Sequence, residues 1–118
     1  MIERLSILRD SSVIDAEVFD DCIALDAGLM TLEGLTKLDA YQVAMTHLAM
    51  AMQRIKKDNV VDYMDEMILS EIKSSDLFSE VVELTDKIVK QVHVDIPESE
   101  VQFLWLHMLN TLNEKGGK

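Results

Sequence analysis

Histidines are the side chains of this 118-residue sequence best suited to chemistry near neutral pH. A neutral imidazole is a good nucleophile and can accept a phosphoryl group, and it can also bind a metal or transfer a proton. His47 lies at the edge of one apolar helical stripe, and His107 lies at the edge of another, sixty positions later. An imidazole at such an edge can be held by packing and still be reached from solvent.

Each of these two histidines has a charged residue on its own helical face. Arg54 follows His47 by seven residues, which is two helical turns. Glu100 precedes His107 by the same interval. A guanidinium in that position can hold a phosphoryl group with paired hydrogen bonds. In the simpler interpretation each histidine is half-buried and hydrogen-bonded to a neighbour. This interpretation is favoured for His47 and for His107 when each is taken alone, and more strongly for His93, which lies in a loop.

The helices that must position these side chains are predicted from repeats of 3.6 residues and from a scarcity of breakers, with one proline and four glycines. Asp15 is a predicted N-cap, and Thr36 to Asp39 resembles a capping box. Pro97 fits the first turn of the last helix. The first, third and fourth predicted helices cover about 2–9, 38–57 and 65–73. The second begins near 15, the fifth follows Ser75 and Asp76, and the sixth begins at about 97. The sequence therefore predicts an all-α fold, a compact bundle of five to six helices.

The chain shows no repeat, linker or low-complexity tract that would divide it. We expect one domain over residues 1–113 and a flexible C-terminal tail over 114–118. The single cysteine, Cys22, excludes an intramolecular disulfide, and no Cys/His spacing fits a zinc site. Because Cys22 lies in a helical pattern, it is expected to be a small buried apolar residue. No metal or other cofactor is predicted.

The charge balance restricts the possible partners. Eleven basic residues against 22 acidic ones give a formal net charge of −11. Direct nucleic-acid binding is not expected, because it depends on Lys and Arg that neutralise phosphates. No apolar run has the length of a membrane span, and the first residues begin an amphipathic pattern rather than a signal peptide. We expect a soluble cytoplasmic protein.

Two segments of the sequence carry a resemblance to a known family. Residues 46–55, THLAMAMQRI, resemble the first signature of PTS regulation domains (PRDs), a helix with the pattern H-(L/I)-x-x-A-x-x-R. Residues 96–108, IPESEVQFLWLHM, resemble the second signature, in which an acidic residue and apolar positions precede a histidine. Many members have an acidic residue where this chain has Thr46. Members also usually carry two such domains and a nucleic-acid-binding domain, whereas this chain resembles a single domain that stands alone.

This resemblance implies a fold, partners and residue roles. PRDs are helical bundles, commonly dimeric, in bacterial transcription antiterminators and activators. Their signature histidines accept phosphoryl groups from HPr or an EIIB domain of the sugar phosphotransferase system. On that pattern His47 and His107 are the candidate phosphoryl acceptors, and Arg54 and Glu100 are supporting residues. We therefore expect a phosphorylation-responsive regulatory homodimer, which modulates transcription regulation or partner binding, rather than an enzyme.

Two other functions remain open from the residues. The chain could be a helical dimerisation or adaptor protein that has kept the fold without phosphorylation. It could also be a metal-dependent helical enzyme that uses both helical histidines and Glu100. Helical metal sites usually pair Glu and His as Glu-x-x-His, and the positions three before the histidines here hold Ala44 and Leu104. The enzyme is therefore the less favoured alternative.

Overall fold

The computed structural model describes residues 1–116, in which every regular element is helical. A π-helical turn, Asp26–Met30, continues the second helix directly. The six α-helices are α1 (Ile2–Asp10), α2 (Ala16–Leu25), α3 (Asp39–Lys56), α4 (Glu66–Lys73), α5 (Phe78–Gln91) and α6 (Glu98–Lys115). The prediction of an all-α bundle of five to six helices is confirmed, with six.

Aspartate caps fix the starts of two helices. The Asp15 carboxylate accepts a hydrogen bond of 2.9 Å from the backbone N–H of Val18 in α2. Asp65 accepts one of 2.8 Å from the N–H of Met67 in α4. Both bonds satisfy amides that have no partner within the helix. Pro97 is the residue before α6 rather than part of its first turn, and there too its missing N–H removes no helical hydrogen bond.

The start of α3 differs from the prediction. The expected capping box at Thr36 to Asp39 is wrong, because Leu38 precedes α3 and makes no side-chain cap. The cap comes instead from Glu114 in α6, whose carboxylate oxygens accept from the N–H groups of Asp39 at 2.7 Å and Ala40 at 3.2 Å. A residue 75 positions away in the sequence therefore starts this helix.

The C-terminal end of α6 also differs from the prediction. The flexible tail predicted from residue 114 is wrong at its first two positions, because α6 continues to Lys115. Glu114 holds the start of α3, and the Lys115 ammonium donates to the carbonyl of Glu33 at 2.7 Å. These contacts order the last turn. Residues 117–118 of the predicted tail lie outside the described residues.

Helix α3 lies at the centre of the bundle and packs against α6, α2 and α1. Ala51 and Ile55, which are apolar residues of α3, are only half-buried. The buried positions of this helix are Tyr41, Ala44, Met45, Leu48, Ala49 and Met52. Burial is broader than one stripe because α3 has neighbours on several sides. Cys22 is buried as expected, and burial raises the pKa of its thiol to about 12.

Candidate functional site

The two histidine-bearing helices meet in opposite directions. Because α3 and α6 run antiparallel, residues ascending in one helix face residues descending in the other. An interval of seven residues returns to the same face of closely aligned helices. Three facing pairs, named here the α3–α6 seam, follow this interval: Ala40 with Glu114, His47 with His107, and Arg54 with Glu100.

The middle pair of the seam is a stack of two imidazole rings. The ring centroids of His47 and His107 are 4.7 Å apart, and the ring planes differ by 15°. His47 is exposed and His107 is half-buried. Within residues 1–116, neither ring takes part in a hydrogen bond with another side chain or with the backbone. The simpler interpretation of a histidine that is hydrogen-bonded to a neighbouring residue therefore describes neither ring within residues 1–116.

The environment of His107 favours its nucleophilic form. Burial lowers the pKa of this imidazole, and the charge of His47 lowers it further. A histidine with a pKa below its ordinary value is neutral near pH 7. His107 therefore keeps a lone pair on one ring nitrogen.

The Arg54–Glu100 pair lies two turns along the seam from the histidines. One guanidinium nitrogen, Nη2, lies 3.1 Å from Glu100 Oε1. The Glu100 side chain is 2% exposed and the Arg54 side chain 37%. Glu100 Oε2 also accepts from the backbone N–H of Val61 at 3.4 Å, which attaches the α3–α4 connection to α6. The Nε–H of Arg54 is buried and has no hydrogen-bond partner among the described residues, so one donor of the guanidinium is unused there.

A small cavity of about 100 Å³ joins the histidines to this ion pair. Arg54 is the only Lys or Arg among its lining residues, which are His47, Ala51, Arg54, Val61, Glu100, Phe103, Leu104 and His107. All four residues singled out in the sequence therefore border one site. The part played by the Val61 backbone was missed, because the contact comes from an irregular connection that carries no helical pattern.

The third histidine, His93, lies apart from this site. Its ring Nδ1 is 2.6 Å from one oxygen of Asp21, and its backbone N–H donates to the other at 2.9 Å. The hydrogen bond with Asp21, and the charge of that carboxylate, raise the pKa of His93. Of the simpler interpretation favoured for His93, the hydrogen bond to a neighbour is confirmed, whereas the half-buried position is wrong, because the His93 side chain is 73% exposed.

Within residues 1–116, no group of three or more His, Cys, Asp or Glu is arranged to hold a metal ion. In the same part of the chain, no helix combines the length and apolar character needed to cross a membrane.

Comparison with known proteins supplies the family. Residues 36–111 match the model of the PRD domain, and this range contains α3, most of α6 and the four residues His47, Arg54, Glu100 and His107. The chain therefore belongs to the PRD domain family. Membership implies, in general terms, a regulatory module controlled by the phosphotransferase system.

One curated protein is similar to this chain over most of its length. The uncharacterized protein YhfY of Escherichia coli (strain K12) is 26% identical over 105 residues, which cover 88% of each chain. This similarity extends over nearly the whole sequence, beyond the range matched by the family model. No solved structure matches the chain.

Proposed function

We propose that this chain is a phosphorylation-responsive regulatory module of the bacterial sugar phosphotransferase system and is not an enzyme in its own right. His47 and His107 accept phosphoryl groups from HPr or an EIIB domain in the cytoplasm. The observation that carries the proposal is the stacked imidazole pair, in which His47 is exposed and both rings lack hydrogen-bond partners within residues 1–116.

Phosphoryl transfer to histidine requires only a neutral imidazole that is correctly oriented. A lone pair on the imidazole attacks phosphorus, a nitrogen–phosphorus bond forms, and the donor's bond to phosphorus breaks with its electron pair returning to the donor. The phosphorylated donor supplies the energy, so the site needs only to orient the ring. Arg54 is the supporting residue, since its guanidinium borders the cavity and its Nε–H is unpartnered among the described residues. Glu100 holds that guanidinium in place.

The output of the site is a change of charge. By analogy with other phosphorylated side chains, each group adds about −1.5 to −2, on a chain that already carries −11. Val43 and Met50 flank His47 on α3 and are 48% and 38% exposed, which gives the acceptor an apolar surround suited to contact with another protein. We propose that the unmodified chain forms a homodimer over this surface. Phosphorylation then alters dimer packing or partner choice and so modulates transcription regulation.

The decisive experiment is phosphotransfer from purified, phosphorylated HPr and EIIB proteins of the same organism. The wild-type chain should gain phosphoryl mass on intact-mass measurement under neutral conditions. The double variant His47→Ala/His107→Ala should gain none. The oligomeric state, measured by sedimentation before and after transfer, should change in the wild type alone.

The matched control is His93→Ala, which removes the remaining histidine and should leave the gain of mass unchanged. No transfer from any cognate donor to a folded wild-type chain would overturn the proposal. In that case a dimer unaffected by the donors would favour the alternative of a non-phosphorylated dimerisation or adaptor protein.

A further inference from the structure

The two acceptor rings are too close to act as independent sites. Resting on the proposed function, we propose that the His47–His107 stack is a single acceptor site that holds one phosphoryl group at a time, with His47 occupied first. A phosphoryl group on His47 then blocks His107. The inference follows from three features of the pair, which are its separation, its supply of positive charge and its unequal exposure.

The separation makes double modification costly. The ring centroids are 4.7 Å apart, so two phosphoryl groups bound to nitrogens of these rings would be close neighbours. Two groups of about −1.5 to −2 each, at roughly 5 to 7 Å in water, repel enough to slow or weaken the second transfer by about tenfold to a hundredfold. Salt at physiological strength screens only part of this repulsion, because the separation is below the Debye length of about 8 Å.

The supply of positive charge suits one group and not two. Among residues 1–116, Arg54 is the only Lys or Arg that lines the cavity, and part of its charge already neutralises the buried carboxylate of Glu100. Its Nε–H, which is buried and has no partner within the same residues, is one spare donor for a single phosphoryl group. A cavity of about 100 Å³ also has room for only a few water molecules to solvate a second group.

The unequal exposure sets the order. His47 is exposed, whereas His107, the other ring of the stack, is half-buried. A donor approaching from solvent therefore reaches His47 first. Once His47 is modified, the phosphoryl group stands beside the route to His107 and repels the next donor.

A chemical donor tests this inference without any partner protein. Phosphoramidate transfers its phosphoryl group to exposed imidazole nitrogens and releases ammonia, so the reaction needs no HPr or EIIB. The parent for the test is the full chain with His93→Gln, which leaves only the two stacked histidines. We expect the parent to take up one group, located at His47 by peptide mapping, with any second addition at least tenfold slower.

Three controls are matched to this parent. Adding His107→Ala should leave one group at His47, and adding His47→Ala should move one group to His107 at a higher rate than the parent's second addition. The parent unfolded in concentrated urea should take up two groups at similar rates, because its rings are then sixty residues apart along a flexible chain. Circular dichroism confirms that each variant is folded in buffer.

Three results would overturn the inference. In the first, the folded parent takes up two groups, and the second is added as fast as the one group is added to the His47→Ala variant. In the second, the folded parent takes up a single group at His107. In the third, the folded parent takes up no group. A single group from phosphoramidate together with no transfer from HPr or EIIB would keep the exclusive site and reject the proposed function.

Discussion

At the scale of single residues, the site contains the carboxylate of Glu100, and burying this charge without a partner would destabilise the fold. Glu100 is 2% exposed, and its partners are the Arg54 guanidinium and the Val61 backbone N–H. Removing one member of a buried ion pair leaves an uncompensated charge in a poorly polarisable environment. Arg54 therefore stabilises the fold, in addition to its proposed support of phosphotransfer.

Replacing Arg54 tests its contribution to stability. Arg54→Ala should lower the free energy of unfolding by about 2 to 4 kcal/mol, somewhat below the cost of breaking a fully buried pair because the guanidinium is partly exposed. Arg54→Lys should cost less, since it keeps the charge but loses the planar geometry. Urea denaturation followed by circular dichroism measures both changes.

Lys57→Ala is the matched control for Arg54. Lys57 lies three positions further along, is exposed, and should change the unfolding free energy by less than about 0.5 kcal/mol. Equal stability of Arg54→Ala and the control would show that the Glu100 carboxylate does not need the guanidinium.

At the scale of the helices, local sequence patterns were a good guide to where elements begin and end. The Asp15 cap and the scarcity of breakers place the predicted helix ends within one or two residues of those observed. Local patterns failed where the partner is distant, as at the start of α3, which Glu114 caps from α6. They also did not predict that Tyr41 is buried, because the periodicity of α3 does not reveal how many other helices surround it.

The candidate site shows the same division between local and distant information. The spacing of seven residues placed Arg54 on the face of His47 and Glu100 on the face of His107. It did not predict that the two faces meet, nor that the imidazoles stack at 4.7 Å. That information lies in the antiparallel register of α3 and α6, which only the packing of the bundle determines.

The cap from Glu114 yields a prediction at this scale. Glu114→Ala removes the acceptor for the Asp39 and Ala40 N–H groups and should cost about 1 kcal/mol, as expected for a lost N-cap. Hydrogen exchange should accelerate in the first turn of α3 and not near Arg54. Asn113→Ala, an exposed neighbour, is the control and should change neither quantity.

At the scale of the whole molecule, two histidines whose pKa values are shifted in opposite directions make the stability of the fold depend on pH. The pKa of His107 is lowered, chiefly by burial, so as pH falls below the ordinary value of 6.5 the unfolded chain gains a proton that the folded chain resists. His107 therefore reduces stability on the acid side. The pKa of His93 is raised by its hydrogen bond with Asp21, so its stabilising contribution is present below 6.5 and is lost as pH rises through the raised value.

The two histidines therefore give a pair of variants with opposite pH dependence. We expect His93→Gln to destabilise the chain most near pH 5.5 and progressively less towards about pH 8. His107→Gln, in contrast, should become more favourable relative to the wild type as pH falls over the same range. Unfolding free energies from urea titrations at several pH values measure both trends. Parallel trends for the two variants would contradict the assigned directions.

The hydrogen bond from the Val61 N–H to Glu100 makes the backbone itself a reporter of events at the site. Any movement of Arg54 redistributes charge on the Glu100 carboxylate, and the Val61 proton is held against that carboxylate at 3.4 Å between the heavy atoms. In a nitrogen–proton correlation spectrum, this one resonance should shift when a ligand or modification engages the guanidinium. The molecule thus carries an intrinsic sensor of occupancy that needs no label on the histidines.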